Sequence, residues 1–141
     1  MARVMGVDYG SKRVGIAVSD VLGFTATGME TISWNGRDDS YLLDRMVQII
    51  KEKDINEIVF GLPRRTDNGE SEAIISAKRL ANALEEKSGM KAVYQDERYT
   101  TVIASRYLRE VGASKKKKKE VVDQVAAEII LQEYLESKRR V

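Results

Sequence analysis

Apolar positions along the chain follow two rhythms, and these predict strands alternating with helices. RVMGVD (3–8) and RVGIAV (13–18) are short, Val/Ile-rich runs separated by a Gly/Ser/Lys turn, and they read as the two strands of a hairpin. TGMETIS (27–33) predicts a third strand, so the chain opens as a meander. From Ser40 to Lys53 the residues Leu42, Leu43, Met46, Val47, Ile49 and Ile50 recur at helical spacing, with Asp38, Asp39 or Ser40 placed to cap the helix. EIVFG (57–61), closed by Gly-Leu-Pro, has the continuous apolar character of a buried strand between helices. A second helix is expected from about Glu70 to Lys87, stopped by Ser88-Gly89. KAVYQDER (91–98) predicts a further strand, a helix is expected to begin near Thr100, and a last one covers roughly Lys119 to Ser137.

Three strands followed by helix, strand, helix, strand and helices make an α/β plan, a meander extended by parallel strands through helical crossovers. At 141 residues and 43% hydrophobic, the chain is expected to form one domain over residues 1–141. A chain of that length buries about two thirds of the surface its unfolded form exposes. No apolar run approaches the roughly 20 residues that span a bilayer, and the N-terminus lacks a signal-peptide pattern. The expectation is a cytoplasmic protein with no membrane partner.

The chain has no cysteine and no histidine. That excludes disulfides, zinc–thiolate and imidazole sites, cysteine nucleophiles and histidine general bases. Carboxylates remain as metal ligands, and hard oxygen donors favour Mg²⁺ or Mn²⁺. The net charge of +2 does not by itself argue for a polyanionic partner, but five consecutive lysines, Lys115, Lys116, Lys117, Lys118 and Lys119, concentrate positive charge. Placed between two expected helices, they read as a surface loop.

Three carboxylates draw notice by position. Asp8 closes the first strand, whose apolar Val4, Met5 and Val7 mark it as central and buried. A charge there needs compensation, from Lys12 or Arg13, from a turn, or from a metal. Glu97 ends the strand 91–98, and strand ends in open α/β sheets are where ligand crevices form. The cluster Asp96, Glu97, Arg98 also reads as a solvated turn. Asp123 projects within about 40° of Ala127, Ile130 and Tyr134 at roughly 100° per residue, which puts it on an apolar helix face. Either an Arg or Lys from the sheet satisfies it or it lines a site. Three such groups meeting at one sheet edge could hold one or two divalent ions.

The segments DYGSKRVGIAVSD, GLP, DERYTT and DQVAAEIILQEYL resemble, in that order, the motifs of the YqgF/RuvX family of RNase H-like proteins, over nearly the whole chain. The resemblance implies a mixed five-stranded sheet flanked by helices and an acidic triad at Asp8, Glu97 and Asp123. Members of that family are described as Holliday junction resolvases and, in other assignments, as nucleases maturing the 5′ end of pre-16S rRNA. The segment RRTDNGESEA lacks the second glycine that many relatives carry near Ser71.

The leading expectation is a Mg²⁺- or Mn²⁺-dependent phosphodiester hydrolase acting on structured nucleic acid, RNA or branched DNA. Lys12, Arg13 and Arg98 would neutralise phosphates near the scissile bond; Arg64 and Arg65 could contact phosphate, and Lys115–Lys119 would track the backbone. Two alternatives stay open, a binding module without chemistry and an actin-like nucleotide-binding protein, whose first phosphate loop DYGSKRVGIAVSD also resembles. A resolvase needs two symmetry-related cuts and hence a homodimer, whereas a processing nuclease can act as a monomer.

Overall fold

In a computed structural model, residues 3–62, 72–96 and 115–139 are described. Five strands, β1 (Arg3–Asp8), β2 (Arg13–Ser19), β3 (Ala26–Ser33), β4 (Ile55–Leu62) and β5 (Ala92–Asp96), form one sheet in the order β3-β2-β1-β4-β5. β1–β2 and β2–β3 are antiparallel, while β4 lies parallel to both β1 and β5. The expected mixed five-stranded sheet, meander first, is therefore the one found, and β1 occupies its centre.

Three helices are described: α1 (Ser40–Glu52), α2 (Glu72–Ser88) and α3 (Lys115–Arg139). Alternation along the strands divides the core between them. Met5, Val7, Val14, Ile16, Ile58 and Phe60 point to one face and pack with Leu42, Met46 and Ile49 of α1 and Leu80 and Leu84 of α2. Val4, Ala17 and Val59 point to the other and meet Ala127, Ile130, Leu131 and Leu135 of α3. The helix ends follow local chemistry. Asp39 is the N-cap of α1 without a side-chain bond, while neighbouring Asp38 accepts the Ser40 amide at 3.0 Å. Beyond α2, Gly89 adopts φ +74° and its amide returns to the Glu85 carbonyl at 2.8 Å, the glycine stop the sequence predicts.

Two of the differences from the expected boundaries have a clear local cause. β4 begins at Ile55, two residues early, because Asp54 takes a left-handed φ of 55° that turns the chain directly from α1 into the strand. The lysine run is helical and not a loop: α3 begins at Lys115, four residues before the expected start at Lys119. Lysine is a good helix former, and these residues extend a helix already anchored by its apolar face. The expected helix near Thr100 lies outside the described residues. Among the described residues, no helix is long and apolar enough to cross a membrane.

Candidate nucleic-acid cleavage site

The site is built where α3 crosses the C-terminal end of β1. Val4, Gly6 and Asp8 alternate onto the α3 face of β1, and Asp8 is only 7% exposed. Asp8 pairs across the ladder with Gly15 of β2 on one side and Gly61 of β4 on the other. On this row two glycines thus flank the carboxylate. Their missing side chains let the helix descend. A Cβ on Gly15 would fall within 3.0 Å of the Asp123 Cβ and closer still to its carbonyl, and one on Gly61 would strike the Ile130 side chain. Gly6 and Gly28 similarly lie under Leu131 and Gln124. A track of small residues on the central strands therefore seats α3 and places Asp123 directly over the partner of Asp8.

Arg13, two residues before Gly15 on the same face, donates from Nε to Asp123 Oδ2 at 2.7 Å. The sheet thus supplies the arginine that sequence alone could only offer as one of two explanations for Asp123. Burial raises the proton affinity of the Asp123 carboxyl above the ordinary aspartate value, and the Arg13 bond works against that shift without cancelling it. Lys12 is exposed on the turn between β1 and β2.

That turn is braced by Trp34, a residue that no sequence pattern singled out. The Trp34 indole N–H donates to the Gly10 carbonyl at 2.7 Å, the Trp34 amide donates to the Lys12 carbonyl at 3.0 Å, and its ring meets Tyr9 edge-on at 6.0 Å. Gly36, at φ +80°, sits against the carbonyl of Ser11. The signal for Trp34 was weak, a lone tryptophan just past an expected strand. A stronger signal that could have pointed to the site lies in Gly6, Gly15 and Gly61, which interrupt otherwise apolar strands, since glycine in a strand interior marks close approach of another backbone.

Asp8, Arg13 and Asp123 are thus brought to one end of the sheet. Glu97 follows the last residue of β5 in the chain; it, Arg98, Arg64 and Arg65 lie outside the described residues. Lys115–Lys119 open α3, eight to four residues ahead of Asp123. Among the described residues, no group of three or more Asp or Glu side chains gathers to hold a metal. Asp8 and Asp123 do offer hard oxygen donors in a partly desolvated setting, the donor chemistry of a Mg²⁺- or Mn²⁺-type ion.

The fold is that of the RuvC-like nucleases of RNase H architecture. Thermus thermophilus RuvC, solved in complex with a Holliday junction substrate, matches with a TM-score of 0.62 over 99% of this chain and 96% of that one, at 12% identity. The fowlpox virus resolvase, solved with its substrate Holliday junction DNA, matches with a TM-score of 0.51 over 96% and 98%, at 10% identity. The RuvX family, described as "Holliday junction resolvase", matches residues 2–137, and the chain belongs to it. A protein of Leuconostoc mesenteroides subsp. mesenteroides named "Putative pre-16S rRNA nuclease" is 44% identical over 137 residues, covering 96% of each chain. One of the same name from Ligilactobacillus salivarius is 44% identical over 139 residues, covering 98% of this chain and 95% of that one.

Proposed function

We propose that the protein is a divalent-metal-dependent phosphodiester hydrolase that cuts structured RNA, with the 5′ end of pre-16S rRNA as its substrate. One observation carries the proposal: Asp8 is buried at the end of the central strand, and Asp123 is seated by Gly15 over the neighbouring position on the same face. Asp8 and Asp123, joined by Glu97, would hold Mg²⁺ or Mn²⁺. When bound, such ions activate the attacking water and stabilise the leaving oxygen. The chain's own part is rigidity and charge. β1 is hydrogen-bonded on both sides, so Asp8 has little freedom to move, and Trp34 fixes the turn that carries Lys12. Lys12, Arg64, Arg65 and Arg98 would meet phosphates near the scissile bond, and Lys115–Lys119, on the first turn of α3, would meet the backbone further out. The names of the relatives support the RNA substrate.

The description of the family supports a second reading, cleavage of four-way DNA junctions by a two-fold dimer. Asp8→Asn keeps the shape of the side chain and removes its charge, so it should abolish cleavage of a paired RNA carrying the pre-16S 5′ junction while leaving the far-UV spectrum intact. Wild-type cleavage by that variant would reject the site. Parallel assays on paired RNA and on four-way DNA, with the mass in solution, separate the two substrates.

A further inference from the structure

Arg13 and a metal ion would be competitors for the same carboxylate. The Nε–H of Arg13 is spent on Asp123 Oδ2, while a third of the arginine side chain (34%) remains open to solvent and only 16% of the Asp123 side chain does. The terminal amino groups of the guanidinium carry its other donors, in the fork that suits phosphate. Asp123 sits where a charge is costly without a cation beside it. A divalent ion on Asp123 would satisfy that need and repel the neighbouring guanidinium, and the long, partly exposed arginine stem allows the head group to swing outward.

We propose that Arg13 is the resident counter-cation of Asp123 in the metal-free protein, that it yields the carboxylate when a divalent ion enters, and that its freed guanidinium then takes a substrate phosphate. Arg13 is in this sense a positioning residue that couples metal entry to substrate capture. It keeps the acidic site neutralised and shaped when no metal is present, and it makes substrate binding favour the metal-loaded state. The proposal rests on the metal-dependent reading above.

The test is Mn²⁺ binding to the full chain without nucleic acid, followed by electron paramagnetic resonance of the free ion, for wild type, Arg13→Gln, Arg13→Lys, Asp8→Asn and Asp123→Asn. Breaking a charge-assisted hydrogen bond before the ion can enter lowers affinity by about three- to tenfold once solvent exposure is allowed for. Arg13→Gln should therefore bind Mn²⁺ about three- to tenfold more tightly than wild type. Arg13→Lys, which keeps the charge but loses the fixed Nε geometry, should fall between them. Asp8→Asn and Asp123→Asn should both bind more weakly. The melting temperature of Arg13→Gln should be below wild type without metal and should rise more on adding Mn²⁺. Equal or weaker Mn²⁺ binding by Arg13→Gln, with the two Asp variants still impaired, would overturn the exchange and leave the metal site standing. If Asp8→Asn and Asp123→Asn bind as wild type does, or if no protein binds, the metal reading fails and the exchange falls with it. Should Arg13→Gln not fold, Arg13→Lys decides alone, because wild-type affinity in that variant would equally reject the competition.

Discussion

Replacing Gly15 by alanine tests whether the descent of α3 onto the sheet is what makes the site. The new methyl group would point at the carbonyl of Asp123, whose oxygen and carbon both lie well inside any distance a real Cβ tolerates. Both sides of the clash are backbone, one in a strand and one in a helix, so no rotamer change relieves it. Helix and sheet would have to separate locally by about 1 Å or more before ordinary packing distances return. Overpacking of this kind costs about 1–3 kcal/mol, and each kcal/mol moves Tm by roughly 3–5 °C in a chain of this size. The drop should thus lie at roughly 3–15 °C by those same figures. Gly61→Ala is the control, because there the obstacle is the end of the Ile130 side chain. Its cost should be smaller, and Ile130→Val, which deletes the offending methyl, should give a double variant less destabilised than the sum of the singles. A 1 Å misplacement of a reacting group can cost about a hundredfold in rate. Gly15→Ala, assayed well below its melting temperature, should therefore lose cleavage far out of proportion to its loss of stability. If it melts within a degree or so of wild type, or costs no more than Gly61→Ala, then α3 is not seated as described and the placement of Asp123 loses its support.

The other predictions concern different parts of the molecule. Glu57 of β4 accepts from Lys138 at 2.7 Å and from the Tyr134 hydroxyl. Burial works against its charge, yet those two partners hold its carboxyl below the ordinary value of 4.5. The unfolded chain therefore binds more protons in that range, so the contribution is full above about pH 4.5 and lost as pH falls through the folded value. Glu57→Gln should lower stability by about 1 kcal/mol at pH 7, with the two melting curves converging in acid; a difference that stays constant down to pH 2 would contradict the assignment. Trp34→Phe keeps an aromatic ring but loses the bond to Gly10, so chemical denaturation should show a loss of about 1 kcal/mol, and weaker binding of paired RNA should accompany it if the turn carrying Lys12 is loosened. Changing Lys115–Lys119 to glutamine should flatten the dependence of log affinity on log salt by about 0.7–0.9 for each phosphate that is no longer neutralised; an unchanged slope would move the binding face elsewhere. If the proposed metal site holds, that variant should show the same rise in melting temperature on adding Mg²⁺ or Mn²⁺ as the wild type, because the lysines are not among its ligands.

Much of the architecture was legible because it rests on local patterns. The Val- and Ile-rich runs at 3–8 and 13–18, the helical spacing from Leu42 to Ile50 and the Gly89 stop are each set by neighbours in sequence, and the observed elements match them within two residues. The lysine run shows the limit of that logic, since charge density argued for a loop while helix propensity and attachment to an anchored helix decided otherwise. Asp8 could be recognised because a carboxylate at the end of a buried strand is anomalous on its own. Asp123 could be recognised as a polar residue on an apolar face, but whether a sheet cation met it depended on Arg13, 110 residues away. Only the tertiary structure brings Gly15 under Asp123, opposes both Gly15 and Gly61 to Asp8, and hangs the turn at Gly10 from Trp34. Apart from the hairpin pairing of Asp8 with Gly15, these are relations between segments far apart in sequence, fixed by strand register and by how closely α3 can approach the sheet where glycines replace side chains. Glycines inside strands mark a close approach in the sequence, but which helix makes it is decided only when the glycines of neighbouring strands line up beneath α3.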